Sequence, residues 1–286
     1  MKINKKYFRI LGIVITLVAG ILLSVLQTKP PRVNKSLPMY PVYERMMANL
    51  QKMAAKPHPS NSAEIKIVRA HLLEEIENMG IVPIIHDVIY TREELIDIFF
   101  LEENGVSSIE ELWEKFHDFI IENRSINSLD ELIEYKNNFE IEEIIEGIDE
   151  DGKIVLQNIM VKLDAPDTDR SVLFMAHYDS TPYGPTPGTA DNMLSVVAIL
   201  EALRSQAQNK TLKTNLYFLF SDGEEQHLTG RGGTEGTKRF VREYPELKDK
   251  IDMVISFEAR GNRGALILFE TSPNAYRLIE AYKKSG

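Results

Sequence analysis

Three well-separated apolar runs in this 286-residue chain each lead into acidic or histidine residues. Residues 172–176 precede His177-Tyr178-Asp179, residues 216–220 precede Asp222-Gly223-Glu224-Glu225, and residues 253–257 precede Glu258. Short runs this rich in β-branched and aromatic residues predict buried strands of a largely parallel sheet. Open α/β sheets bind ligands in the crevice beyond the carboxyl ends of their strands. Oxygen and nitrogen donors from distant segments are therefore expected to converge on one edge. Asp191, opening a helical stretch soon after the first run, adds a further donor. The pattern is that of a metal site.

Composition narrows the chemistry. The chain has no cysteine, which excludes a disulfide framework, a thiolate zinc site and a cysteine nucleophile. Hydrophobic content of 43% supports one sizeable core with an accessory element. The formal net charge of −10 is unevenly spread. Residues 93–151 hold 20 Asp and Glu against Lys115, Arg124 and Lys136, so the remainder is mildly basic. No basic stripe suited to nucleic acid is present, and no nucleic-acid partner is expected. The acidity of 93–151 is read as solvation of an outer face.

Residues 10–26 are apolar apart from Thr16 and Ser24, and Lys2, Lys5, Lys6 and Arg9 precede them. A basic segment followed by an apolar stretch of this length predicts an uncleaved signal anchor, with the bulk of the chain outside the cytoplasm. A cleavable signal peptide is the competing reading, weakened by the poor small-residue spacing around 24–27. The expected organisation is a cytoplasmic basic segment (1–9), a transmembrane anchor (10–26), a Pro-rich linker (27–39) and a main domain (40–286). An acidic helical insertion (93–151) interrupts that domain.

Helical periodicity covers 43–53 and 63–79, the latter closed by Gly80. Residues 82–90 alternate as a strand, and the insertion shows helical spacing at 93–102, 109–122 and 129–135. Strand character returns over 152–163 and 172–177. A Pro- and Gly-rich loop, a helix at 191–205, a strand at 216–220, a glycine-rich loop and a helix at 237–243 follow. Strands at 253–257 and 265–269 and a helix from Pro273 end the pattern. Alternating strands and helices predict a three-layer α/β domain with helices on both faces of a mixed, largely parallel sheet.

Singly, each donor has an ordinary explanation: a hydrogen-bonded strand-end His, a solvated Glu pair, an Asp capping a helix. Jointly they satisfy a metal. His177 and Asp179 stand two residues apart on one strand face, and a ligating imidazole needs a partner for its other N–H. Of the adjacent Glu224 and Glu225, one can bind metal while the other serves as base toward a water. Imidazole and carboxylates without thiolate suit zinc, with cobalt or manganese as alternatives.

Ala176-His177-Tyr178-Asp179-Ser180, Gly188-Thr189-Ala190-Asp191-Asn192, Ser221-Asp222-Gly223-Glu224-Glu225 and Glu258 resemble, in order, the metal motifs of the M28 zinc aminopeptidases. Pro57-His58-Pro59 resembles the segment before this family's first long helix, and 257–261 and 269–273 are similar to its membrane-anchored branch, which includes endoplasmic reticulum and vacuolar membrane proteases. The resemblance runs from about Tyr40 to the C-terminus. It implies a zinc exopeptidase-like fold and hydrolysis of peptide bonds at the N-terminus of a peptide or protein substrate. It also implies two zinc ions. Asp191 would bridge them, His177 and Glu258 would complete one site, Glu225 would bind the second, and Asp179 would orient His177. Glu224 would be the general base for a metal-activated water. The Asp191–Asn192 peptide would be cis.

Two departures accompany the resemblance. The family's second zinc takes a His well beyond the Glu258 position, and no His follows His227. His227 is not expected to replace it, so residues 1–286 are expected to be a truncated chain with sub-stoichiometric zinc and little aminopeptidase activity. Residues 226–233 are also less apolar than the family's loop. Two other functions remain on the same scaffold: a non-catalytic binding ectodomain, disfavoured by the retained Glu224, and acyl transfer of the glutaminyl cyclase kind.

Overall fold

A computed structural model describes residues 13–22, 35–101, 104–141, 148, 151–166, 168–209, 211–225, 233–259, 270–273 and 275–285. The chain divides into two compact units, residues 36–259 and residues 1–35 with 260–286. In the latter, residues 13–22 form helix α1. The rest of the expected 10–26 anchor lies outside the described residues, as does the expected strand at 265–269. Among the described residues no helix is long and apolar enough to cross a membrane. The final helix of this unit, Tyr276–Ser285, begins three residues after Pro273.

The larger unit opens with α2 (Tyr40–Met53) and α3 (Ala63–Glu77), then β1 (Ile84–Tyr90). The insertion contributes α4 (Arg92–Phe100), α5 (Ile109–Arg124) and α6 (Leu129–Asn137). Next come β2 (Ile154–Leu163), β3 (Ser171–His177), α7 (Leu194–Ala207) and β4 (Asn215–Ser221). The unit closes with α8 (Glu235–Glu243), α9 (Pro245–Lys250) and β5 (Met253–Ser256), and the Tyr276–Ser285 helix is α10. The short α9 had no counterpart in the sequence pattern. Asp191 does not open α7 as expected. It lies in an irregular turn, Thr189–Met193, where Asp191 and Asn192 have non-helical backbone angles.

The strands form one sheet in the order β1-β2-β4-β3-β5. β1 pairs with β2, and β2 with β4, antiparallel; β3 pairs with β4 and with β5 in parallel. The described sheet is therefore evenly mixed, not largely parallel. Parallel neighbours require a crossover connection. α7 supplies it between β3 and β4, whereas β1 and β2 flank the insertion and meet as antiparallel neighbours.

Helices cover both faces. α2, α3 and α7 bury Leu50, Ile65, Leu72, Ile76, Val197 and Leu200 against Ile159, Val161, Ala176, Phe218 and Phe220. On the other face Phe240 and Leu247 pack on Met160, Leu173, Tyr217 and Leu219. The insertion builds its own apolar cluster from Leu95, Phe100, Leu112, Ile120 and Leu132 over Val88, Tyr90, Ile154 and Leu156. Because β2 opposes β4, with Ile159 level with Phe220, the start of β2 lies toward the carboxyl end of β4. The insertion, joining Tyr90 to Ile154, thus leaves the sheet at the same edge as the β3 and β4 carboxyl ends.

Candidate metal centre

The register sets the site. His177 closes β3 opposite Ser221 of β4, and Met175 is level with Ser256 of β5. β5 ends at Ser256, and Glu258 follows two residues on. Asp222 to Glu225 continue from β4. Asp191 arrives from the irregular turn after β3, where the Asp191–Asn192 peptide is cis, as the resemblance implied. Asn192, buried, donates through Nδ2 to the Phe257 carbonyl at 2.7 Å, which ties the Asp191 turn to the residue before Glu258. Gly188 stands at φ +60°, and a Cβ there would lie 2.9 Å from the Asp191 carbonyl oxygen.

The structure brings His177, Asp191, Glu224, Glu225 and Glu258 together. His177 is 2% exposed, and its Nε2 is buried without a hydrogen bond. Around that nitrogen stand carboxylate oxygens of Asp191 at 3.2 Å, Glu258 at 3.6 Å and Glu224 at 3.8 Å. Donor atoms of His177, Asp191 and Glu258 lie within 4.8 Å of one another, as do those of His177, Glu224 and Glu225. A tetrahedral zinc with bonds of about 2.1 Å sets its ligands about 3.4 Å apart. An orphaned imidazole nitrogen facing carboxylates at that spacing fits a zinc ion. Both donor groups use the same imidazole.

Asp179 reaches His177 Nδ1 by a route other than the shared strand face expected. β3 ends at His177, so strand alternation does not carry Asp179 onto its face. The acceptor nearest His177 Nδ1 is the Asp179 main-chain oxygen at 3.2 Å, with the carboxylate at 3.4 Å. Either way Nδ1 carries the proton and Nε2 is left free to ligate. The Asp179 carboxylate instead accepts the backbone N–H groups of Glu224 at 3.2 Å and Glu225 at 2.9 Å. It clamps the turn that presents both glutamates. The far side of that turn is held by Thr234 N–H to the Glu224 carbonyl and Glu235 N–H to the Gly223 carbonyl.

The electrostatics call for positive charge. Burial opposes protonation of His177, but the carboxylates of Asp179, Asp191 and Glu258 outweigh it and hold its pKa at about 12. Burial, with Asp191 adding to it, pushes Glu225 up to about 7. Burial also raises Glu224, opposed by His177. Contact with His177 lowers Glu258. A dication supplies the demanded charge while leaving the imidazole neutral and available as a ligand.

Behind the ligands lies a buried polar layer that the sequence reading did not assign. Arg69 of α3 donates to Tyr178 Oη at 2.8 Å and to Asp222 Oδ2 at 2.9 Å. Ser60 donates to Asp222 Oδ1 at 2.7 Å. The signal for Arg69 was present: it sits on the buried face of α3 with Ile65, Val68, Leu72 and Ile76. An arginine at an apolar position of an amphipathic helix marks a buried partner. His227 lies outside the described residues.

The mixed sheet, the covering helices and the donor set at the strand ends define an α/β fold with a candidate metal centre. Residues 158–285 match the model of peptidase family M28. The chain is 35% identical over 131 residues to the putative endoplasmic reticulum metallopeptidase 1 of Schizosaccharomyces pombe, covering 44% of this chain and 15% of that protein. It is 25% identical over 238 residues to the vacuolar membrane protease of Kluyveromyces lactis, covering 83% of this chain and 21% of that protein. The chain thus spans about a fifth or less of the curated relatives it matches. In fold it is similar to a leucine aminopeptidase precursor from Bacteroides thetaiotaomicron, with TM-score 0.55, 15% identity, 91% of this chain and 76% of that one. It is equally similar to a glutaminyl cyclase from Porphyromonas gingivalis, with TM-score 0.55, 16% identity, 85% of this chain and 68% of that one.

Proposed function

We propose that this chain carries the catalytic centre of a zinc-dependent, membrane-associated aminopeptidase. The observation that carries the reading is His177 Nε2, buried without a hydrogen bond and ringed by the carboxylates of Asp191, Glu258 and Glu224. His177, Asp191 and Glu258 would hold one zinc, and Glu225 with Asp191 would take part in holding a second. Zinc, when bound, activates a water as nucleophile and polarises the scissile carbonyl.

The chain's own groups do the rest. Glu224, half-buried, takes the proton of the attacking water and returns it to the leaving amine. Burial raises its pKa above the usual carboxylate range, which strengthens it as a base. Asp179 keeps Glu224 in place through the backbone N–H it accepts. His177 keeps its proton on Nδ1, toward Asp179. The 10–26 segment would anchor this domain on the extracytoplasmic side of a membrane.

The test is Glu224→Gln in the zinc-loaded chain, assayed on aminoacyl chromogenic peptides. Retained zinc with kcat lowered about 10²–10⁴-fold supports the assignment. Undiminished turnover removes Glu224 as base. Release of ammonia from an N-terminal glutaminyl peptide, without peptide cleavage, would instead show the cyclase chemistry possible on this scaffold.

A further inference from the structure

We infer that Arg69 is a positioning residue for the Glu224–Glu225 turn, acting through Asp222 from a helix that supplies none of the candidate ligands. The inference rests on the metal-centre reading above. It begins with an arginine in an apolar place: the Arg69 side chain is 11% exposed and the Asp222 side chain fully buried. α3 already docks through Ile65, Leu72 and Ile76, all completely buried. A buried ion pair is a poor stabiliser compared with apolar residues of the same volume. Its presence here is better explained by what it orients.

What it orients is the root of the catalytic turn. Asp222 Oδ2 accepts from Arg69 Nη2 at 2.9 Å and from Gln157 N–H at 3.0 Å. Oδ1 accepts from Ser60 Oγ at 2.7 Å, and the Asp222 N–H donates to Asn158 Oδ1 at 3.0 Å. Tyr178 accepts from Arg69 Nε and passes its one proton to the Gln157 carbonyl at 2.7 Å. Arg69 therefore holds two consecutive strand ends at once, β3 through Tyr178 and β4 through Asp222. Gly223 follows at φ +76°, and a Cβ there would come within 2.5 Å of Leu156. With Asp222 pinned and Gly223 confined, the start of the Glu224–Glu225 segment has little freedom. Ser60 also lies 3.3 Å from Asp179 Oδ2, but its single proton goes to the nearer Asp222. Two carboxylates thus lie beside one hydroxyl that serves only Asp222, and the guanidinium balances their charge.

The experiment compares Arg69→Met, Arg69→Lys and the double variant Arg69→Met/Asp222→Asn in the full chain. Zinc affinity is read by chelator competition, stability by thermal melting, and kcat and KM by peptide hydrolysis. Losing a residue that orients metal ligands commonly lowers metal affinity or activity about 10–100-fold. Arg69→Met is expected to show such a loss in zinc affinity and in kcat, with KM unchanged, and Arg69→Lys to fall between it and the parent. The double variant leaves no lone buried charge, so it should melt near the parent yet keep the deficit. A double variant with the parent's zinc affinity and kcat overturns the inference, because Arg69 would then act on stability alone. A loss confined to KM also overturns it. If the parent binds zinc but cleaves no peptide, the hydrolase reading fails by itself, and the zinc affinities still decide the role of Arg69. A parent that takes up no zinc sinks both.

Discussion

At the residue scale the decisive group is His177, because two sets of carboxylates face one imidazole nitrogen. One nitrogen lone pair ligates one ion. Among the described residues the geometry therefore supplies one complete site, with a second ion short of a nitrogen donor. Elemental analysis of residues 1–286 is expected to find about one zinc per chain or less, where a dizinc centre holds two. Two zincs bound tightly by these residues would refute that count. The same group makes stability depend on pH in opposite senses with and without metal. Without metal, His177 has a pKa raised from 6.5 to about 12 and Glu225 one raised from 4.5 to about 7. In both, the folded state holds its proton more tightly than the unfolded state. The stability this confers is fully present below the unfolded pKa and fades as pH rises through the folded one. Chelator-treated protein should therefore melt lower at about pH 8 than at about pH 5.5 from these groups. Zinc-loaded protein should gain over the apo form as pH rises, because protons compete with the metal for these ligands. Melting curves at both pH values, with zinc and with chelator, check this; a zinc-induced shift that is larger at the lower pH would contradict it.

At the element scale, the donor-bearing strands were legible from their continuous apolar runs, which in β4 are buried on both faces over Tyr217, Phe218, Leu219 and Phe220. The termini of α2, α3 and the insertion helices fell within a few residues of the periodic pattern for a similar reason. Asp191 misled because a helix N-terminus and an irregular turn share the same short polar residues, and the turn is set by Asn192 reaching Phe257, a contact 65 residues away along the chain. Asp179 stands beside His177 as expected, but not from a strand face, because the strand stops at His177, where register with β4 ends. The acidity of the insertion proved to do more than face water. Thr91, Ser108 and Ser128 cap α4, α5 and α6, each accepting the N–H three residues on. Glu94, Glu111 and Glu131 accept backbone N–H groups just before those helices. Acidic residues in a first turn also complement the helix dipole. Thr91→Ala is expected to cost about 1 kcal/mol. Leu95→Ala, at a fully buried position of the insertion cluster, is expected to cost about 2–5 kcal/mol. Chemical denaturation measures both, and zinc affinity should stay at the parent's value, since neither residue reaches the metal centre. A Leu95→Ala variant of unchanged stability would show that the insertion cluster is not packed as described.

At the scale of the larger unit, the mixed sheet divides the labour. The parallel strands β3, β4 and β5 bring donors to one edge, and the antiparallel pair β1 and β2 sends the insertion out from that same edge. The similarity to peptidase family M28 was readable from four short motifs, while the buried layer of Ser60, Arg69 and Asp222 was not, since its members lie up to 162 residues apart. The placement of the insertion has a kinetic consequence. Among its described residues the insertion sets 13 Asp and Glu against Lys115, Arg124 and Lys136, a negative field leaving the sheet at the edge that carries the candidate ligands. A free peptide N-terminus is itself cationic near neutral pH. Such a field concentrates cations at the mouth of a site and raises capture rates, and dissolved salt erases the effect over a Debye length of about 8 Å at physiological ionic strength. Substrates with lysine or arginine beside the scissile bond should therefore lose kcat/KM as sodium chloride is raised, while substrates with glutamate there should lose less or gain. Parallel salt slopes for the two would mean that the insertion's charge does not reach the incoming chain.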